Sequence, residues 1–246
     1  DFAPYFFEWI DHPSYDAYWQ RWSIERVYSR INVPALHIGG WYDIFRDGDL
    51  RLYEGLRAQA GPGKARENQK LVMGPWYHNP WNRVLGPCDL GDAAASRVDE
   101  LQVQWFEYWL KGLGNGIMEE PRVRYFMLGE NRWRDDASWP PAKAEPVTLY
   151  LHSGGRANSL SGDGALTREL PGDEAPDVYV YNPRDPVPSL GGQSCCIPGI
   201  TPMGPADQRM VEAINQVLVY TMAPLETPFC IAGSVSVRLF AATDVP

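Results

Sequence analysis

Apolar positions along the first third of the chain switch between clustered helical spacing and short continuous runs. Over residues 1 to 30, Phe6, Phe7, Trp9, Ile10, Tyr15, Tyr18, Trp19, Trp22, Ile24 and Val27 predict aromatic-rich helical segments. Val33-Pro34-Ala35-Leu36-His37-Ile38 then reads as a strand that ends in Gly39-Gly40, and Lys70-Leu71-Val72-Met73 as a second that ends in Gly74-Pro75. Between them Leu50, Tyr53, Leu56 and Ala60 recur near helical spacing over Gly48 to Ala60, and Gly61-Pro62-Gly63 stops that helix. The pattern predicts a strand, a helix and a second strand, each strand closed by glycine.

Further along, Asn79 to Gly91 reads as a loop. Asp92 to Lys111 reads as one long helix with Val98, Leu101, Trp105, Tyr108 and Trp109 on a face, closed by Gly112 and Gly114. From Pro121 the texture changes to short β-rich runs at Val123 to Leu128, Val147 to His152, Val178 to Asn182, Gln216 to Tyr220 and Cys230 to Phe240, with Gly, Pro, Asp and Ser between them. A domain boundary is expected near 115 to 121. No tandem repeat stands out.

The candidate chemistry sits where the two early strands end. Gly39-Gly40-Trp41-Tyr42-Asp43-Ile44-Phe45 places an acid after the first, and Gly74-Pro75-Trp76-Tyr77-His78 places an imidazole after the second. In an open parallel sheet, residues just beyond the carboxyl ends of the strands line the active crevice, so Asp43 and His78 are expected to meet there. Asp before His is the order of an α/β-hydrolase triad, in which the carboxylate fixes the imidazole tautomer and the imidazole takes a proton from a serine. No Gly-x-Ser-x-Gly elbow occurs in the 246 residues; the nearest approach, Gly192-Gln193-Ser194-Cys195-Cys196, lacks the final glycine and follows the histidine. The nucleophile is therefore expected outside this chain. His37, inside the first strand pattern, reads as a satisfied core histidine, as His12 and His152 do in their segments. Asp47 and Asp49, at the start of the following helix, read as capping and dipole residues.

Composition narrows the classes. With 44% hydrophobic and 13% aromatic residues the sequence is far from disorder and long enough for two cores. A formal charge of -9 without a Lys/Arg cluster argues against nucleic acid as a partner. No apolar run approaches the ~18 residues of a membrane span. The four cysteines, Cys88, Cys195, Cys196 and Cys230, show no metal-ligand spacing with a histidine and read mostly as buried thiols, with a bridge from Cys195 or Cys196 to Cys230 as the alternative. No metal or cofactor is expected. Compartment and homo-oligomerisation stay open, a cytoplasmic location being slightly favoured.

The Gly-Gly-Trp-Tyr-Asp-x-Phe and Gly-Pro-Trp-x-His pair resembles the cocaine esterase and Xaa-Pro dipeptidyl-peptidase family of serine hydrolases, which includes glutaryl-cephalosporin acylases and α-amino acid ester hydrolases. Arg132-Trp133-Arg134-Asp135, Ser138-Trp139-Pro140, the run Tyr181-Asn182-Pro183-Arg184-Asp185-Pro186-Val187-Pro188-Ser189-Leu190-Gly191-Gly192 and Gly204-Pro205-Ala206-Asp207-Gln208-Arg209 extend the likeness over nearly the whole chain. The resemblance implies an α/β plus all-β architecture: residues 1–30 ending a helical cap, 31–118 the C-terminal part of an α/β-hydrolase core, and 119–246 an incomplete jelly-roll β-sandwich, truncated at both ends. It implies an ester or amide substrate, a catalytic Asp43 and His78, and an N-terminal portion that bears the serine and oxyanion hole.

Phe45, Trp41, Trp76, Tyr77 and Arg46 are the candidate substrate-binding residues. Phe45 resembles the aromatic acyl-pocket wall of the esterases. Phe45 and Arg46 stand where the amino acid ester hydrolases carry acidic residues, which argues against an α-amino acyl group. Arg46 either meets a glutaryl carboxylate or is a solvent-facing arginine at a helix start. Xaa-Pro dipeptidyl-peptidase and glutaryl-cephalosporin acylase activities are the alternatives within the class, and a non-catalytic carbohydrate- or partner-binding β-sandwich is the alternative outside it.

Overall fold

A computed structural model describes residues 2–61, 63–78, 81–197, 200 and 203–244. Of the residues read above, Pro62 in the helix stop and Asn79 and Pro80 in the loop after His78 lie outside those described. The aromatic N-terminal region forms α1 (Tyr5–Asp11), α2 (Ala17–Gln20) and a 3-10 stretch over Ile24–Arg30. Asp16 caps α2 by accepting from the Tyr18 N–H at 2.8 Å, while its other oxygen meets His12 Nδ1 at 2.6 Å. His12 is thereby accounted for structurally.

The centre of the molecule is a four-stranded sheet. Strand β1 (Ala35–Tyr42) leads through α3 (Arg46–Gln59) and the short α4 (Lys64–Glu67) into β2 (Gln69–Tyr77), which runs parallel to β1. A two-stranded hairpin, β3 (Val84–Leu85) and β4 (Cys88–Asp89), follows, then α5 (Val98–Lys111). Strand β5 (Val123–Met127) lies parallel on the other side of β2, and β6 (Arg132–Asp136) closes the order β1-β2-β5-β6 antiparallel to β5. Central β2 is buried from Gln69 to Trp76, as expected of a parallel strand covered on both faces. Tyr53 of α3 packs with Leu71, Met73, Val123, Tyr125, Met127 and Trp139 in the main core. Lys70, also buried in β2, sends its ammonium to the Ile117 and Pro121 carbonyls at 3.1 and 3.0 Å and to Glu120 at 3.2 Å, which ties down the link between α5 and β5.

The long helix expected over 92–111 is broken. Asp92–Ala94 forms one 3-10 turn and the α-helix starts at Val98. Two indoles explain the break: Trp133 Nε1 donates to the Ala93 carbonyl at 2.7 Å and Trp76 Nε1 to the Ala94 carbonyl at 2.8 Å, which takes acceptors that a continuous helix would use internally. At its other end α5 stops at Gly112, which adopts the left-handed conformation, as the glycine signal predicts.

Downstream, β7 (Tyr150–His152) pairs antiparallel with β8 (Ala165–Thr167), and α6 (Arg209–Glu212) is a single turn. Asp177 fastens this region by accepting from Tyr220 Oη at 2.6 Å, Ser153 Oγ at 2.7 Å and the Ala157 N–H at 2.8 Å. His152 bonds Glu174 at 2.6 Å, a structural contact. Three expected strands do not form ladders: Val178 to Asn182 and Cys230 to Phe240 carry no strand, and Gln216 to Tyr220 contributes one isolated bridge, Leu218 to Asn158. Val178, Tyr179, Val180 and Tyr181 are all exposed, and among the described residues no neighbouring strand offers them a ladder. Beyond β6, the ladder pairing among the described residues is that of β7 with β8, joined by isolated bridges. Strands β5 and β6, expected on the sandwich side of the boundary, pair instead into the sheet of β1 and β2 because Val123, Tyr125 and Met127 complete its core.

Strands β1 and β2 approach so closely at Gly40 that a Cβ there would lie 2.1 Å from the Trp76 carbonyl oxygen. Backbone cannot yield as a flexible side chain does, so Gly40→Ala is expected to destabilise the fold by about 2 kcal/mol, read as a lower midpoint of denaturant unfolding. An unchanged midpoint would contradict this strand packing.

Candidate active site

The register of β1 against β2 shifts as the strands end. Gly40 lies opposite Gly74, but Tyr42 lies opposite Tyr77, so β2 carries one residue more than β1 in this interval. Pro75 sits within it, and a proline without an N–H is tolerated in a sheet where the ladder is interrupted. In unshifted register Asp43 would have stood beside Tyr77. With the shift, the residues that follow the paired tyrosines are Asp43 and His78.

Asp43 is held from several sides. Its N–H donates to the Gly40 carbonyl at 3.0 Å, and its carboxylate Oδ1 accepts from the Phe45 N–H at 2.8 Å. Its own carbonyl accepts from the Arg46 N–H at 3.1 Å and from Gln193 Nε2 at 2.8 Å. The residue is 5% exposed. Both carboxylate oxygens lie 3.3 Å from His78 Nδ1. The His78 side chain is 31% exposed, and among the described residues Nε2 has no hydrogen-bond partner. The Phe45 ring stands edge-on to the imidazole with centroids 5.0 Å apart. Chemically, this is a carboxylate able to orient an imidazole, with the second ring nitrogen open to exchange a proton.

The other candidates divide. Phe45 is exposed beside His78. Trp41 is turned inward, donating from Nε1 to the Phe126 carbonyl at 2.6 Å and packing on Trp139. Trp76 is 1% exposed and bonded to Ala94. The Trp76 indole is thus an interior one and the Trp41 indole is partly buried, each with its N–H satisfied by a main-chain carbonyl. Tyr77 Oη reaches the Val84 carbonyl at 3.4 Å and leans on the hairpin. Arg46 pairs with neighbouring Asp47 at 2.8 Å and extends to the Trp41 carbonyl at 3.4 Å, which agrees with the helix-start reading. His37 is buried against Gln69 Oε1 at 2.8 Å, and desolvation holds its pKa below the usual value. Ser194 makes no hydrogen bond with His78 among the described residues. Two cysteines depart from the buried-thiol expectation: Cys88 is half-buried and Cys230 is exposed.

Two residues near Asp43 escaped the sequence reading. Asp49, taken as a helix-start residue, points inward, its carboxylate close enough to Gly39 that a Cβ there would lie 2.7 Å away. No donor among the described residues bonds that carboxylate, and burial first, then the charge of Asp43, pushes its pKa up to about 6, while His78 acts in the opposite sense. The signal was present: Asp49 precedes Tyr53, Leu56 and Ala60 at the same helical spacing and so lies on the core-facing side of α3. Gln193 had no comparable signal, since it reaches Asp43 across 150 residues of sequence.

Comparison with known proteins gives this geometry a family. Residues 2–80 match the family model of X-Pro dipeptidyl-peptidase (S15 family), and residues 115–246 that of the X-Pro dipeptidyl-peptidase C-terminal non-catalytic domain. The chain is 34% identical over 238 residues, 96% of its length, to cocaine esterase of Rhodococcus sp. (strain MB1 Bresler), of which it covers 40%. Its fold is similar to the crystal structure of an aminopeptidase from the marine sediment archaeon Thaumarchaeota archaeon, with a TM-score of 0.69 and 27% identity over 90% of this chain and 36% of that one. The chain thus spans well under half the length of these relatives. With residues 2–80, which carry the strand-end Asp43 and His78, and residues 115–246 both matched to models of one family, the chain belongs to the X-Pro dipeptidyl-peptidase (S15) family.

Proposed function

We propose that this chain supplies the acid and the base of a serine hydrolase triad, and that the serine and oxyanion hole come from an N-terminal part of the α/β-hydrolase core outside these 246 residues. The observation that carries the reading is the placement of both Asp43 oxygens 3.3 Å from His78 Nδ1, with Nε2 open. In the reaction the serine oxygen attacks the acyl carbonyl and its proton passes to His78 Nε2. Asp43 holds the neutral tautomer with its proton on Nδ1 and stabilises the imidazolium. The imidazolium gives its proton to the departing alkoxide or amine, and water repeats the sequence to release the acid. In this reading residues 1–30 end a cap, 31–118 together with β5 and β6 belong to the core, and the chain after β6 belongs to a jelly-roll region.

Among acyl groups, an apolar or aromatic ester is the reading the site supports best. Phe45 leaves an exposed ring against the imidazole, where an acyl group would pack. Arg46 is engaged by Asp47, which weakens the case for a glutaryl carboxylate. Asp49 adds a second carboxylate behind the pair. Once ionised, it would favour the imidazolium that forms during turnover.

In the complete hydrolase, His78→Ala is expected to lower turnover by several orders of magnitude and Asp43→Asn by about 10⁴, with the double variant little worse than His78→Ala, because both act on one proton transfer. Additive losses would mean that the residues work separately. A serine-reactive phosphonate should label the complete enzyme; glycan binding without labelling would favour the non-catalytic alternative.

Phe45→Ala should lower kcat/KM for an aromatic acyl ester by roughly 10-fold to 200-fold and for an acetyl ester much less. Arg46→Ala should leave both neutral esters nearly unchanged. A selective loss on glutaryl substrates would instead assign Arg46 to a carboxylate.

The raised pKa of Asp49 also has a stability consequence. The folded state holds this proton more tightly than the unfolded chain, so the stability it contributes is full below about pH 4 and is lost as pH rises through about 6. Asp49→Asn should therefore gain stability relative to the parent between pH 4 and pH 7.5, read from denaturant midpoints at the two values. An equal difference at both would contradict the assignment.

A further inference from the structure

The run that ends in Gly191-Gly192-Gln193 lies in the part of the chain matched to a domain described as non-catalytic, yet it terminates on Asp43. The segment is a built loop. Gly192 and Gly204 exchange two backbone hydrogen bonds at 2.7 and 3.0 Å, and Gln208 Nε2 donates to the Leu190 carbonyl at 2.8 Å. Gly191 has φ 70, and a Cβ there would meet the Gly204 carbonyl at 2.6 Å and the Ala206 Cβ at 2.7 Å. The loop forms one wall of a cavity of about 650 Å³ whose other wall is Tyr42, the residue before Asp43.

From this loop Gln193 Nε2 donates to the Asp43 carbonyl at 2.8 Å. That oxygen also accepts from the Arg46 N–H at the start of α3, so both of its acceptor directions are in use. With Oδ1 fixed on the Phe45 N–H, the peptide and the carboxylate of Asp43 are restrained together. We infer that Gln193 is a positioning residue for the Asp43–His78 pair, which acts through the Asp43 main chain and makes proton transfer depend on the docking of residues 188–193. The inference rests on the triad reading above. Gln193 itself is exposed, so a modest effect is expected.

The test uses the complete hydrolase with p-nitrophenyl acetate. Gln193→Glu keeps the shape but presents only oxygen to a carbonyl, and Gln193→Ala removes the contact. Both should lower kcat about 5-fold to 10-fold with KM changed less than about 2-fold, because the loss falls on proton transfer and not on substrate binding. In an Asp43→Asn background, Gln193→Ala should cost nothing further. A lowered melting temperature with unchanged kcat would overturn the inference, as would a full additional loss in the Asp43→Asn background. If Gln193→Ala does not fold, the Glu variant carries the same test. Failure of the triad reading is separable: it would appear as an Asp43→Asn enzyme with normal turnover, whereas a crippled Asp43→Asn enzyme beside normal Gln193 variants sinks only the positioning role.

Discussion

The one-residue shift in register between β1 and β2 is the constraint on which the site depends. Two parallel strands from different parts of the sequence bring their ends together, but only the added residue in the Gly74-Pro75-Trp76 interval sets His78 beside Asp43. Gly40 allows the Trp76 carbonyl to approach, and the Trp76 indole, bonded to Ala94, anchors the shifted strand in the interior. The same indole helps to end the helical turn before α5. Strand register, helix start and the acid–base pair are therefore one packing solution.

The pairing of Asp43 with His78 was legible because its signal is local. Each follows a short apolar run closed by glycine, and parallel strands place such positions at the same edge of the sheet. The strand and helix patterns up to Lys111 were largely readable, apart from the short α4, the β3–β4 hairpin within the expected loop and the break before Val98, which arises from two tryptophan side chains that take main-chain carbonyls from a distance. Periodicity does not encode such contacts. The same limit hid the main-chain carbonyls that Trp41 and Trp76 reach, which lie far from them in sequence.

The C-terminal half was less legible, and the reason is again non-local. Alternating apolar residues at Val178 to Asn182 and Cys230 to Phe240 have strand propensity, but a strand exists only where a second backbone completes its ladder. Where such a partner was available, as β2 was for β5, a strand formed. Gln193 belongs to the same class of information: nothing in its surroundings marks it, and its contact with Asp43 emerges only from tertiary structure. Asp49 is the opposite case, since its helical spacing already placed a carboxylate on the core-facing side.

The account turns on His78 serving a nucleophile with one ring nitrogen while Asp43 holds the other. The most direct measurement is a crystal structure of the complete hydrolase trapped with a serine-reactive phosphonate. The account predicts His78 Nε2 within about 3.2 Å of the phosphonylated serine oxygen or of a phosphonate oxygen, with Asp43 still bonded to Nδ1. A phosphonylated serine remote from His78, or a His78 ring turned away from Asp43 in that complex, would contradict it.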